Sequence, residues 1–109
     1  MDIEQKNETQ EVTAEVYTFA RPVTFEGETV ESLNIDFDKL TGADILVCDR
    51  QYQAETARQG VNELVKETNK AYQAYIVAKA AGVHVGLIRA LSAKDFTKLT
   101  LRAQSFLLL

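Results

Sequence analysis

From Tyr17 to Phe37 the large apolar side chains fall on alternate residues: Tyr17, Phe19, Val23, Phe25, Leu33, Ile35 and Phe37 all occupy odd positions. A period of two puts them on one face of an extended chain, so the segment is predicted to form strands with that face buried. The pattern is interrupted at Glu26-Gly27-Glu28-Thr29, where glycine supplies the positive φ that a tight reversal needs. The reading is a β-hairpin with a solvated turn of no further role. Pro22 lacks the amide a ladder requires and belongs at an edge, at a bulge or at the start of the second strand segment.

After Phe37 the period changes. Thr41-Gly42-Ala43-Asp44 reads as a capping box, with the Thr41 hydroxyl accepting from the amide three residues on and Asp44 reaching back. A helix is expected from about Ala43 to Arg58. Its buried face is either Ile45, Cys48 and Tyr52 or Ala43, Val47 and Ala54. Gly60 interrupts, and Val61, Leu64, Val65, Thr68, Tyr72, Tyr75, Ile76 and Ala80 then recur at spacings of three and four. They predict a second helix, kinked near Thr68-Asn69 and stopped by Gly82 in the left-handed C′ conformation. A short helix over Val85 to Leu91 follows. Ser92-Ala93-Lys94-Asp95 supplies another cap for a last helix, on which Phe96, Leu99, Ala103 and Phe106 form one stripe and Lys94, Lys98 and Arg102 a basic neighbour. Leu101 and Leu108 are placed on yet another side.

The expected fold is α+β: an N-terminal antiparallel β-hairpin or small sheet followed by a bundle of three to four α-helices. At 109 residues, 46% apolar and 26% charged, the chain suits one hydrophobic core and is too short for two. Residues 15–109 form that domain. Residues 1–14, acidic and without periodicity, are read as a flexible tail. Charge is uneven along the chain. Residues 1–15 carry −4, residues 16–60 another −4 and residues 61–109 +4, so the sequence is a charge dipole.

Several function classes lack a foothold. No apolar run approaches the ~20 residues of a membrane span, and the first residues have neither a basic nor an apolar leader region, so a cytoplasmic location without a membrane partner is expected. The single Cys48 reads as a core thiol and the single His84 as a loop or helix-start residue, which leaves no metal set and no nucleophile-base pair. Asp36 and Asp38 flank Phe37 at strand spacing and read as a solvated face. The five glycines are isolated from one another, so no phosphate loop is present. No catalytic residue, cofactor or metal is expected.

Val77 to Leu91 resembles a helix-turn-helix whose outward residues would be His84, Val85, Gly86, Arg89 and Ala90. Only two of those side chains can hydrogen-bond to base edges, so the segment reads as a packing corner, and nucleic acid is not the expected partner. A small DNA-binding regulator stays as the alternative.

The order of features carries a resemblance. Tyr17-Thr18-Phe19, Val23-Thr24-Phe25-Glu26-Gly27, Leu33-Asn34-Ile35-Asp36-Phe37-Asp38, Leu40-Thr41-Gly42-Ala43-Asp44, Leu91-Ser92-Ala93-Lys94-Asp95-Phe96 and Phe106-Leu107-Leu108 together look like the phage tail assembly chaperone family, the group with the E, 41 and 14 type tail proteins. The resemblance covers Tyr17 to the end. It implies a factor of the host bacterial cytoplasm that binds the tape measure protein before the tail tube polymerises and is absent from the finished virion. It also implies tail tube subunits as partners of a longer, frameshifted form. A structural minor tail subunit is the other alternative. The expected partner or self-association surface is Lys94, Lys98, Leu101, Arg102, Phe106, Leu107, Leu108 and Leu109, by apolar coating of a helical partner, the alternative being that Phe106 and one leucine complete the core. The charge dipole adds a second expectation, a homo-oligomer associated head to tail.

Overall fold

In the computed structural model, residues 14–57 and 65–109 are described. The expected tail falls outside that set except for Ala14, as do Arg58, Gly60, Val61 and Leu64. Strands β1 (Glu15–Phe25) and β2 (Glu28–Ile35) form an antiparallel pair. Phe25 faces Glu28, so the loop has two residues, Glu26 and Gly27, with φ of 52° and 82°. Two consecutive positive φ angles give the tight turn whose twist matches that of paired strands. Tyr17, Phe19, Val23, Leu33 and Ile35 are buried, as the alternation predicts.

The register breaks once. Thr18 faces Ser32 and Val23 faces Val30, so Phe19 to Pro22 stand opposite Glu31 alone. Pro22 lies inside this bulge, where no ladder bond is asked of it. Beyond Ile35 the strand stops. Phe37–Lys39 is a turn of 3₁₀ helix, which corrects the reading of Asp36 and Asp38 as flanking Phe37 on a strand. The Asp36 amide donates to the Ala80 carbonyl at 3.2 Å, which takes the chain out of the sheet plane.

Four α-helices follow: α1 (Gly42–Thr56), α2 (Lys70–Ala81), α3 (Val85–Ala90) and α4 (Ala93–Leu108). The hairpin followed by helices is the α+β arrangement expected. At the start of α1 the box closes in both directions: Thr41 Oγ accepts from the Asp44 amide and Asp44 accepts from the Thr41 amide. That amide holds the Asp44 carboxyl below its usual range, more than burial raises it. Cys48, Tyr52 and Thr56 face the core, which settles the two candidate faces of α1 in favour of the Cys48 and Tyr52 side. Burial pushes the Cys48 thiol up to about 11.

The second helix is shorter than the sequence reading. Val65 is non-helical and exposed, Lys66–Thr68 is a 3₁₀ turn, and Asn69 caps α2 by accepting from the Tyr72 amide at 3.1 Å. Asn69 thus starts a helix rather than kinking one, because its side chain takes an amide that a continuous helix would bond to a carbonyl. α2 is the centre of the molecule. Tyr72, Gln73, Ala74, Ile76, Val77, Ala78 and Ala80 are buried, and it packs on α1, α3, α4 and β2. A helix apolar on nearly every side is one enclosed by its neighbours. Buried Gln73 is satisfied by donating to the Glu67 carbonyl and to Gln104 Oε1, each at 2.8 Å. Gly82, at φ 70°, ends α2: its amide donates to the Lys79 carbonyl and that of Val83 to Ala78, the paired bonds of a left-handed C-terminal cap.

Candidate interaction surface

One side chain, Asp95, hydrogen-bonds the start of the last helix to the hairpin. Ser92 caps α4 by accepting from the Asp95 amide, as its spacing predicts. The Asp95 carboxylate, however, turns away from the Ser92 amide toward the hairpin. Its Oδ1 accepts from the Tyr17 hydroxyl and the Ala20 amide, both at 2.9 Å, and its Oδ2 accepts from the Arg21 amide at 3.3 Å and the Ser92 hydroxyl at 2.9 Å. Burial raises the Asp95 pKa, but the bonds from Ala20, Tyr17, Ser92 and Arg21 outweigh it and hold the carboxyl below its usual value. The bulge of β1 presents two amides that the hairpin ladder cannot use, and Asp95 satisfies both.

With α4 fixed in this way, its two sides are unambiguous. Asp95, Leu99, Thr100 and Ala103 are buried, and Phe96 is half-buried beside them. Phe106 stacks on Phe37 with ring centroids 5.4 Å apart, and Leu107 packs against the core, so both are half-buried. Lys94, Lys98, Leu101, Arg102, Leu108 and Leu109 are exposed, with Leu101 and Leu108 each 50% accessible. The eight residues proposed from sequence therefore divide. Two help close the fold, and six are open to solvent.

Lys94, Lys98, Leu101, Ser105 and Leu108 follow one another at steps of four, three, four and three, and all five are exposed. At 100° per residue they lie within one narrow stripe opposite the buried face. This corrects the placing of Leu101 and Leu108 on a side apart from the lysines. Beside the stripe, Glu15, Phe37, Leu101, Arg102 and Ser105 line a shallow open groove of about 430 Å³. Arg102 belongs to the wall of that groove rather than to a free basic stripe. Its guanidinium pairs with Glu15 at 2.8 Å and sits over the Tyr17 ring, 5.0 Å from the centroid.

Other charges are also paired within the molecule. Lys66 meets Asp49, Lys79 meets Asp44 and Arg89 meets Glu55, and with Arg102–Glu15 every one of these pairs joins the acidic part of the sequence to the basic part. The sequence dipole is thus partly neutralised by folding, leaving less charge for association between copies. Among the described residues neither Lys94 nor Lys98 has an ion-pair partner.

The Val77 to Leu91 corner is packed inward. His84 caps α3 by accepting from the Gly86 amide at 2.8 Å, and its ring stacks on Phe25. A Cβ on Gly86 would come within 3.0 Å of both His84 and Phe25, so α3 lies directly against the hairpin. Arg89 is held by Glu55 and lies over the Tyr75 ring, 5.2 Å from its centroid. Both side chains that could have read a base edge are engaged. A second depression, of about 520 Å³, lies between α1 and the end of α2, with Leu40, Tyr75 and Ala78 in its lining and Lys39 and Lys79 among its charged groups.

Among the described residues no three His, Cys, Asp or Glu side chains gather to hold a metal, and no helix is long and apolar enough to cross a membrane. The fold defines a class, a two-stranded hairpin clamped onto four helices with one solvent-facing helical stripe. Comparison with family models, curated proteins and solved structures finds no match to this chain.

Asp95 is the residue that sequence reasoning placed correctly and read too locally. Its cap spacing was visible; its bonds to residues 74, 75 and 78 positions away were not. Ser105 was missed altogether, although its four-three spacing to Leu101 and Leu108 was present in the sequence.

Proposed function

We propose that this chain is a tail assembly chaperone of a tailed phage, acting in the bacterial cytoplasm to cover the tape measure protein before the tail tube forms around it, and absent from the finished particle. The reading rests on the ordered motifs from Tyr17 to Leu108, and one structural observation supports it: the open face of α4, with Leu101 and Leu108 half-exposed on a helix whose opposite side is fully packed. A helix laid along that face removes apolar area from water on both partners. Covering the exposed half of each leucine is worth about 1 kcal/mol. One such contact is weak. A weakly held copy can be stripped off as tube subunits arrive. The chemistry is binding alone, with no nucleotide or metal assigned to it.

The test is co-purification. The chain, co-expressed with a phage tape measure protein, is expected to form a soluble complex at several copies per partner. Mass spectrometry of purified virions is expected to find the partner and not the chaperone. A chain found stoichiometrically in the virion makes it a structural subunit instead.

A further inference from the structure

The stripe on α4 changes character along its length. Lys94 and Lys98 occupy its first two turns and carry no ion-pair partner among the described residues, whereas Leu101, Ser105 and Leu108 continue it as an apolar seam with a small residue at the centre. Steps of four and three are the spacing that keeps one face of a helix against another helix, and a small residue between two leucines lets the partner approach closely. The groove bounded by Phe37, Leu101, Arg102 and Ser105 adds a depression beside the seam large enough for a bulky side chain.

We infer that α4 docks a single α-helix of graded chemistry, acidic where it passes Lys94 and Lys98 and leucine-rich where it passes Leu101, Ser105 and Leu108. The commitment to an acidic, rather than a neutral or basic, helix comes from charge. Arg102, the other cation of this face, is already neutralised by Glu15, so among the described residues of this face Lys94 and Lys98 are the cations without an ion-pair partner, and both lie at the same end of the seam. Opposite charges flanking an apolar seam set partner choice and register in helix pairs. A partner with lysines at that end is rejected by like-charge repulsion. The inference rests on the proposed function only in taking the partner to be helical, and it deepens that reading by stating which helical segments the chain selects.

The test uses two synthetic helices of about three heptads, with identical leucine seams, one carrying glutamates and the other lysines in its terminal heptad. Fluorescence anisotropy is expected to show the glutamate helix binding about tenfold more tightly than the lysine helix at low salt, with the preference shrinking as salt is raised. The double variant Lys94→Glu, Lys98→Glu is expected to invert the order, and Leu101→Ser with Leu108→Ser to abolish binding of both. All four positions are exposed, so the variants are expected to fold, which circular dichroism checks. Equal binding of the two peptides, or a preference that survives the charge reversal, overturns the inference. So does a concentration-dependent dimer that disappears in the leucine variant, since the occupant is then a second copy. If neither peptide binds while the tape measure protein still does, α4 is not the seam and the functional proposal stands; if the glutamate helix binds and the tape measure protein does not, the reverse holds.

Discussion

Removing the Asp95 carboxylate should cost more than removing any other single polar group of the described chain. In Asp95→Ala the Tyr17 hydroxyl and the Ala20 and Arg21 amides lose their acceptor together, and the Ser92 hydroxyl loses one of its partners. Breaking a buried, charged hydrogen-bond network on one side costs about 3–5 kcal/mol. That is a large share of the ~5–15 kcal/mol by which a domain of this size is stable. Asp95→Asn is the finer probe. Its amide oxygen keeps an acceptor for Tyr17 and Ala20, but its NH₂ group meets the Arg21 amide and the Ser92 hydroxyl, so a loss of about 1–3 kcal/mol is expected. Urea unfolding followed by far-ultraviolet circular dichroism measures both, with Lys94→Ala and Lys98→Ala as neighbouring controls that should stay within about 0.5 kcal/mol. The pH dependence adds a second readout. A carboxyl whose folded pKa is depressed gives stability that is complete above its unfolded value of ~3.9 and is lost as pH falls through the folded value. The Asn variant should therefore lose less stability than the parent chain below about pH 4. An Asp95→Ala chain within about 0.5 kcal/mol of the parent would refute the view that this side chain joins hairpin to helices.

Further expectations follow from single residues. Gly82→Ala places a Cβ in open space but at φ 70°, so it should lose about 1 kcal/mol of stability through backbone strain alone, read as a lower urea midpoint. Cys48, buried and with its thiol pKa pushed up to about 11, should resist a thiol reagent at neutral pH in the folded chain and react at once in denaturant. Phe106→Ala removes a ring stacked on Phe37 and should lower stability by about 1–3 kcal/mol, because that side chain is only half-buried, whereas Leu101→Ser should change it by less than about 0.5 kcal/mol. This contrast separates the residues of α4 that close the fold from those that face outward, and thermal melts of the two variants measure it.

Local signals were the legible ones. The alternation from Tyr17 to Ile35, the reversal at Gly27, the Thr41–Asp44 box, the Gly82 stop and the Ser92 cap each depend on side chains within a few residues of one another, and each appears in the structure where the sequence placed it, the turn being narrowed to Glu26 and Gly27 with Glu28 and Thr29 already in β2. What could not be read was long-range. Strict alternation across Phe19 to Pro22 conceals a bulge, because an odd number of extra residues in one strand keeps the inward parity of that strand and shifts it in the other. Val30, at an even position, is accordingly the half-buried residue opposite Val23. Phe37 keeps the odd parity but leaves the strand, drawn out by the Asp36 bond to Ala80. The periodicity before Asn69 suggested helix because apolar residues recur at three and four, yet an asparagine cap with a 3₁₀ turn ahead of it gains more from ending than from continuing. On α1 two faces had similar apolar content, and only packing against Tyr72 of α2 selects Tyr52. For the candidate surface, the residue types were visible and their sharing between core and solvent was not, since that depends on how the Asp95 clamp rotates α4 against the hairpin.

The central claim is that the outward seam of α4 covers a helical partner. The most direct measurement is the soluble yield of the tape measure protein when it is co-expressed with the parent chain or with the Leu101→Ser, Leu108→Ser variant, both folded and at equal levels. The partner should remain soluble and associated with the parent chain, and aggregate with the variant. Equal solubility and equal association with both chains would contradict the claim.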